Sequence, residues 1–210
     1  DLVIDPTLVF AAQSGSTADN FGMTATYDMS GNLISGGTVF GPGYPTTLGA
    51  YDITYNGTSG SNTEIDIVIT KYNNAGTNFI ASTYFGGSFS EIVTSIIVDE
   101  NDNVYFYGAT SSPDFPMLAS SWDNSFAGGP LLTFVFNGTS FVNGTDIYIA
   151  KLNNTLSTLL GSTYIGGSLN DGVNHTNVIT TYTSGYGTVT EYPPDSLMFN
   201  YGDQYRGEIQ

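Results

Sequence analysis

The residues best suited to bind a metal ion lie together in one short segment of the chain. Asp99, Asn101 and Asp102 offer carboxylate and amide oxygens, which are the hard ligands that calcium prefers. Their spacing lacks the glycine and the distant glutamate of an EF-hand loop. We therefore expect a tight turn here, with calcium as the alternative. Asp19 and Asn20 carry a weaker signal of the same kind, and no other residue is predicted to bind a metal or a cofactor.

Catalytic chemistry finds little support among the remaining residues. His175 is the only histidine, and a nucleophilic triad or a zinc site would need suitably placed partners for it. There is no Gly-x-Ser-x-Gly elbow. The 19 acidic residues allow many carboxylate pairs for glycoside hydrolysis, but no motif singles out one pair. We expect no catalytic residue and no enzymatic activity.

Two aromatic residues are the best candidates for contact with a ligand. Trp122 and Phe126 lie in a long loop, and a flat aromatic face can stack on a sugar ring. Such residues more often pack the loop onto the core, so both readings stay open. The Asn-x-Ser/Thr sequences at Asn56, Asn137 and Asn143 are interpreted as coincidences of a chain rich in Asn and Thr.

The elements that must position these residues are repeated along the chain. Residues 66–74 return as residues 146–154, and residues 82–88 return as residues 162–168, both at an offset of 80 positions. Two motifs that keep one offset indicate one structural unit used twice. Function in such arrays lies in the loops that differ between the copies.

Alternating apolar residues and turn residues predict four strands in each copy. They fall at residues 23–27, 33–37, 65–72 and 78–85 in the first copy, and at residues 94–98, 104–108, 145–152 and 158–165 in the second. Short Asp- and Asn-rich turns join them, which indicates antiparallel hairpins. The predicted fold is all-β, a partial β-propeller with two complete four-stranded antiparallel blades.

The predicted boundaries place the blades within a longer array. Blade 1 covers residues 20–88 and blade 2 covers residues 91–168. Residues 8–16 resemble the closing strand of a preceding blade, residues 170–200 are interpreted as an insertion, and residues 201–210 resemble the start of blade 3. Since a ring needs four to eight blades to close, we expect a fragment whose partners are the remaining blades of its parent protein.

Two lysines and two aspartates recur at the same positions of the repeat. Lys71 and Lys151 end equivalent strands, and we expect each ammonium group to contact a carboxylate or carbonyl groups between repeats. Asp66 and Asp146 begin the same strands but point to the opposite side from these lysines. Each aspartate is expected to cap a turn or to contact the neighbouring repeat.

The charge balance limits the partners of the chain. With 19 acidic residues against three basic ones, the protein is expected to bind neither nucleic acid nor anionic membranes. There is no cysteine, and no stretch is long and apolar enough to cross a bilayer, so we expect no direct membrane insertion. The chain has no signal-peptide pattern and is interpreted as a mature protein or a piece of one.

The repeated motifs resemble those of a known family. Ser-Thr-Tyr-x-Gly-Gly-Ser at 82–88 and 162–168, together with Thr-Ser-Ser-x-Asp-Phe-Pro at 110–116, resembles the bacterial SBBP (seven-bladed β-propeller) repeat. The likeness is strongest to large secreted proteins of Bacteroidetes that end in gliding-motility-associated or type IX secretion-sorting domains. It implies a seven-bladed ring and an extracellular or cell-surface location, on the outer face of a Gram-negative bacterium. The turn that ends at Asn103 lacks the usual glycine of the repeat.

The function expected from the residues and the resemblance is a non-enzymatic structural or adhesive module. It would bind through the loops at residues 41–57, 111–145 and 170–200, to surface polysaccharide or to secretion and outer-membrane proteins. One alternative is a carbohydrate-active enzyme or polysaccharide-binding propeller. Another is a secretion-system substrate captured with its export machinery. Ser196, in Asp195-Ser196-Leu197, resembles an O-glycosylation acceptor of Bacteroidetes.

Overall fold

The structure is a computed structural model that describes residues 10–57, 64–133, 139–173, 180–184, 187–191 and 209. Over these residues the chain forms strands and turns but no helix, which confirms the prediction of an all-β protein. The strands are β1 (Asn20–Tyr27), β2 (Leu33–Val39), β3 (Asp66–Tyr72), β4 (Phe79–Phe85), β5 (Glu91–Val98), β6 (Val104–Thr110), β7 (Leu132–Thr133), β8 (Ser140–Phe141), β9 (Asp146–Leu152), β10 (Leu159–Ile165), β11 (Thr180–Ser184) and β12 (Gly187–Glu191).

Two four-stranded antiparallel sheets make up most of the described chain. The first sheet has the order β1-β2-β3-β4, and the second has the order β5-β6-β9-β10. All eight strands predicted from the alternation are present, with ends that differ by a few residues. The first strands of the two sheets even share a register shift, between Gly22 and Thr24 and between Val93 and Ser95. The two copies in the sequence are therefore two copies in structure.

Three short elements lie outside this scheme. A small hairpin, β7–β8, lies in the loop before β9, and its Leu132 and Phe141 are buried against Ile92. A second hairpin, β11–β12, lies within the stretch predicted to be an insertion. Residues 10–16, the described part of the predicted closing strand, lie outside any strand. A closing strand needs the other strands of its own sheet as hydrogen-bond partners.

The two sheets pack through different faces. The front face of each sheet is the side of β3 or β9 that carries the lysine, and the back face is the opposite side. Phe85 on the front face of the first sheet meets Phe106 on the back face of the second at 4.9 Å between ring centroids. It also meets Phe115, whose ring stacks on Tyr148 of that same back face. Front-to-back packing of this kind leaves one front face uncovered.

The burial of equivalent residues shows where that uncovered face lies. Ile67 and Ile69 on the front of the first sheet are fully buried, whereas their counterparts Ile147 and Ile149 on the second sheet are partly exposed. A contact between unlike faces can be repeated indefinitely or closed into a ring. The second sheet thus presents the same front face that the first sheet buries.

The loops between the second and third strands of each sheet cover the free outer edges. The backbone N–H of Tyr84 in β4 donates to the carbonyl of Asp52, and that of Tyr164 in β10 donates to the carbonyl of Asp123, at 3.0 and 3.1 Å. An exposed edge strand would otherwise offer unpaired groups to other chains. These hydrogen bonds fix one point of each loop, Asp52 and Asp123, to the edge strand of its own sheet.

Candidate functional site

Each repeated lysine forms an ion pair with the aspartate that begins the first hairpin turn of its own sheet. Lys71 Nζ lies 2.7 Å from Asp28 Oδ2, and Lys151 Nζ lies 2.9 Å from Asp99 Oδ2. Lys71 Nζ also lies 3.4 Å from the carbonyl oxygen of Asn154, in the β9–β10 turn of the second sheet. The expectation that each lysine contacts a carboxylate or carbonyl groups between repeats is confirmed for the carboxylate at both lysines, and Lys71 also contacts a carbonyl group of the other repeat.

The surroundings of the two aspartates keep both carboxyl groups ionised. Burial alone would raise the pKa of Asp28, but hydrogen bonds from Lys71 and Asn32 bring it down to about 2. The side-chain amide of Asn103 and then the ammonium of Lys151 lower the pKa of Asp99 well below its usual range. These carboxylates therefore act as anchors for the turn and the lysine.

The calcium candidates lie in the second of these turns. Asp99 Oδ1 accepts hydrogen bonds from the backbone N–H groups of Asn101 and Asn103, at 2.9 and 3.0 Å. Asp102 Oδ1 accepts one from the backbone N–H of Met29 at 2.9 Å, which joins the turns of the two sheets. In the described part of the chain, no group of three or more His, Asp or Glu side chains is arranged to hold a metal ion. The calcium site remains a prediction, and the hydrogen bonds to Asp99 favour the interpretation of this segment as a tight turn.

Asp102 has a left-handed backbone with φ of 60°, at the position where the first sheet has Gly31 with φ of 76°. Aspartate is one of the few residues that tolerate this conformation, because its short polar side chain can bond locally. The missing glycine of this turn is thus replaced by a residue that can adopt the same backbone.

A groove of about 350 Å³ lies on the uncovered front face of the second sheet. Trp122, which is 85% exposed, lines the groove. The other lining residues include Tyr105, Leu118, Ile149, Lys151 and Leu160. Lys151 Nζ lies 4.5 Å from the centre of the Tyr105 ring. The groove therefore combines aromatic and aliphatic surface with one cation.

The two predicted ligand-contact residues have different surroundings. Phe126 packs edge-on against Tyr164 at 5.7 Å and belongs to the main core, so it supports the loop. Trp122 occupies the repeat position of Tyr51, which packs on Phe85 at 5.3 Å in the first sheet. Of the pair, Trp122 alone is available on the surface.

A second candidate site was not predicted and lies at the junction, where residues 86–91 lead from β4 to β5. Asp66 and Glu91 are both fully buried there. Asp66 Oδ2 accepts a hydrogen bond from the backbone N–H of Asn56 at 2.6 Å, and Glu91 Oε1 accepts one from Thr110 Oγ1 at 2.8 Å. The other oxygen of each carboxyl group, Asp66 Oδ1 and Glu91 Oε2, has no hydrogen-bond partner.

The two unpartnered oxygens approach the same glycine. A Cβ atom at Gly86 would lie 2.6 Å from Glu91 Oε2 and 3.1 Å from Asp66 Oδ1. This explains the first glycine of the repeated Gly-Gly motif, because a side chain there would collide with the acids. Burial and then the charge of Asp66 raise the pKa of Glu91 well above its usual range, and burial is the main cause that raises the pKa of Asp66 to about 8.

The sequence carries a signal for this pair that could have been used. Asp66 and Glu91 each begin a strand whose next two residues are apolar and buried, and such acids are rarely buried unless they are paired. Their common approach to Gly86 depends on the path of residues 86–90, which composition and alternation do not specify.

Other predicted positions lie outside the described residues or are bonded within the fold. Ser196, His175 and Asn137 are outside the described residues, as are residues 201–210 apart from Ile209, whose N–H donates to Ser95 Oγ at 3.2 Å. The side-chain amides of the other two sequon asparagines donate to Asp52 and to the carbonyl of Ser111 at 2.6 and 2.9 Å. Asn20 donates to the carbonyl of Ala18 at 3.0 Å.

Comparison with known proteins adds no family assignment, since no protein-family model and no curated protein matches the chain. Among the described residues there is no helix of the length and apolarity needed to cross a membrane.

Proposed function

We propose that the chain is part of a β-propeller and serves as a non-enzymatic structural or adhesive module of a large secreted or cell-surface bacterial protein. The observation that carries this proposal is the front-to-back packing of two equivalent sheets. The front face of the first sheet receives the back face of the second, which is the contact that repeats between the blades of a ring. A seven-bladed ring agrees with the resemblance of the motifs to the SBBP repeat.

The uncovered front face of the second sheet is suited to receive a further sheet of the same kind. In the first sheet this face is closed by the β9–β10 turn of the second, where the carbonyl of Leu156 accepts the N–H of Tyr51 at 2.9 Å. The fully buried side chain of Leu156 joins the core of the contact. A following blade would place its own turn over Trp122 in the same way.

The location proposed for the module is the outer face of a Gram-negative cell, after export by type IX secretion. The net charge of −16 and the low number of basic residues support a protein that stays in solution and avoids nucleic acid. Its partners would be the other blades of its parent protein, surface polysaccharide, and proteins of the outer membrane. The role of a secretion-system substrate captured with its export machinery is an alternative to this proposal and implies the same export route.

An antibody raised against the purified chain tests the location and thereby the class of function. We expect it to label intact cells of the source organism, or to detect the protein in the medium, without permeabilisation. Labelling that appears only after the membrane is opened would contradict the proposal. An antibody against a cytoplasmic enzyme of the same cells serves as the control for leakage.

The Trp122 groove favours one second candidate, a polysaccharide-binding propeller, whose ligand would occupy this groove in place of the turn of a following blade. Trp122 is the only tryptophan of the chain, so its fluorescence reports this groove alone. A polysaccharide that shifts the Trp122 emission in a saturable way would support this candidate. Release of reducing ends in the same assay would instead indicate a carbohydrate-active enzyme and would contradict the non-enzymatic proposal.

A further inference from the structure

Two buried acids with converging free oxygens require an explanation that the role of a structural module does not supply. We propose that Asp66 and Glu91 form a proton-binding site at the junction, and that one shared proton holds the first and second sheets together there. The proposal does not depend on the number of blades or on the location of the protein.

The geometry places the proton between two carboxyl groups that each keep one oxygen without a hydrogen-bond partner. Both side chains are fully buried, and the hydrogen bonds from Asn56 and Thr110 engage the other oxygen of each. Hydrogen bonds from Gly57 to Asp66, and from Gly87 and Ser112 to Glu91, lower the two pKa values, but burial outweighs them. The second oxygens, Asp66 Oδ1 and Glu91 Oε2, have no hydrogen-bond partner, and both lie close to the position that a Cβ atom would take at Gly86. A buried acceptor without a donor is costly, and a carboxylic acid supplies the donor that its neighbouring carboxylate lacks.

Among the residues that the structure describes, no positive charge acts on these two carboxyl groups. The titratable groups that affect the pair or are affected by it are acids or tyrosines: Asp52, Glu64, Tyr55 and Tyr84 from the first sheet and its loop, and Tyr148 and Tyr164 from the second. The two lysines within the described residues are engaged with Asp28 and Asp99 in the hairpin turns. Two like charges in such surroundings cannot both ionise without a large cost, which one proton removes.

The junction also carries the covalent and backbone link between the sheets. The N–H of Glu91, at the start of β5, donates to the carbonyl of Ile65, just before β3, at 2.7 Å, and the N–H of Ser111 donates to the carbonyl of Ser90 at 2.9 Å within the second sheet. Repulsion between two ionised side chains would act directly on these bonds. Loss of the shared proton is therefore expected to loosen the contact between the sheets.

The arrangement recurs at the open end of the second sheet. Asp146 takes the position of Asp66, and Asp171 takes the position of Glu91, with its N–H donating to the carbonyl of Thr145 at 2.8 Å. Asp171 is partly exposed, and both oxygens of Asp146 accept backbone hydrogen bonds, from Ala127 and Gly128. Carboxyl oxygens without hydrogen-bond partners thus occur at the junction that the second sheet covers, and both oxygens of Asp146 at the open end are bonded.

The direction of the pH effect follows from the raised pKa values. The folded protein holds the proton up to about pH 8, the pKa of Asp66, whereas carboxyl groups in the unfolded chain release it near pH 4. The stabilising contribution is complete below about pH 4 and is lost as the pH rises toward 8. One retained proton makes the unfolding equilibrium constant rise by about tenfold for each pH unit within that window.

The test compares urea unfolding of the wild-type chain and of Glu91→Gln between about pH 5 and pH 8. The glutamine amide does not titrate and can donate to Asp66 Oδ1, which favours the ionised form of Asp66, so we expect the variant to show a weaker pH dependence than the wild type and to be the more stable protein at pH 8. Glu100→Gln makes the same chemical change at an exposed turn and is expected to keep the wild-type dependence. Carboxyl carbon NMR of the wild-type chain provides a readout that needs no variant, and one resonance should titrate near pH 8.

Three outcomes would overturn the proposal. One is a wild-type chain without pH dependence in this window, with every carboxyl resonance titrating below about pH 5. Another is a Glu91→Gln variant that retains the wild-type dependence. The third is stabilisation of the wild-type chain at pH 8 by calcium chloride but not of Glu91→Gln, which would show that a cation takes the place of the proton.

Discussion

Lys71 and Lys151 occupy the same position of the repeat, yet water reaches their ammonium groups to different extents. The side chains of Lys71 and Asp28 are 7% and 2% exposed, because the β9–β10 turn of the second sheet covers them. The side chains of Lys151 and Asp99 are 25% and 23% exposed. Loss of the lysine is therefore expected to lower the stability of the fold more at Lys71 than at Lys151, since a buried charge left without its partner is far more costly than an exposed one.

Replacing Lys71 by methionine is expected to lower the free energy of unfolding by about 3–5 kcal/mol, because Asp28 is then left as a buried charge without its cation. Lys151→Met is the matched control at the equivalent position, and we expect a much smaller loss. Urea unfolding at neutral pH measures both. The double variant Asp28→Asn with Lys71→Met should recover most of the loss, because it removes the unpaired charge. Equal losses for Lys71→Met and Lys151→Met would contradict this account.

The surroundings of the lysines were predictable from the sequence because the same residue type recurs at the same position of the repeat. The duplication of the lysines predicted contact with a carboxylate or carbonyl group, and that is what Lys71 has. The identity of the partner, Asp28, depends on the pairing of β2 with β3 and could not be read from the positions alone. The junction acids were missed because Asp66 and Glu91 meet only after the chain has turned at the glycines between them.

At the scale of elements, the strands and hairpin turns were predictable because alternation and Asp/Asn turn residues act locally. The β9–β10 turn shows the limit of this reasoning. Leu156 has a left-handed backbone with φ of 54°, at the position where the first sheet has Gly76 with φ of 68°. A leucine is unfavourable in this conformation, but its side chain is fully buried in the contact between the sheets. Tertiary packing has overridden the local preference.

Tyr51 and Trp122 occupy equivalent positions in the loops between the second and third strands, but only Tyr51 is covered by a following sheet. We expect Tyr51→Ala to lower the free energy of unfolding by about 1–3 kcal/mol, because the ring loses its contact with Phe85. Trp122→Ala is expected to change it by no more than about 0.5 kcal/mol, because this ring is exposed. Urea unfolding followed by circular dichroism measures the free energy of unfolding of both variants. A larger loss for Trp122→Ala would show that the front face of the second sheet is already covered.

Across the whole molecule, the two sheets meet through unlike faces. Two sheets that faced each other through equivalent sides would form a closed sandwich, with no surface left for a further unit. Front-to-back packing instead buries Ile67 and Ile69 and leaves Ile147 and Ile149 partly exposed. The repeat in the sequence predicted two like sheets, but the faces through which they pack became evident only from the aromatic contacts between them.

A pair of cysteines introduced across the contact tests this packing most directly, because the chain has no cysteine of its own. A Cβ at Gly36, on the front of the first sheet, would lie 3.2 Å from a methyl carbon of Val93, on the back of the second. Mild oxidation of the Gly36→Cys, Val93→Cys double variant should therefore form a disulfide within one chain and remove both free thiols. The control pair Gly22→Cys with Tyr107→Cys exchanges the two roles at the equivalent positions and should keep its thiols free. Free thiols in the folded first variant, or a disulfide in the control, would contradict the front-to-back arrangement.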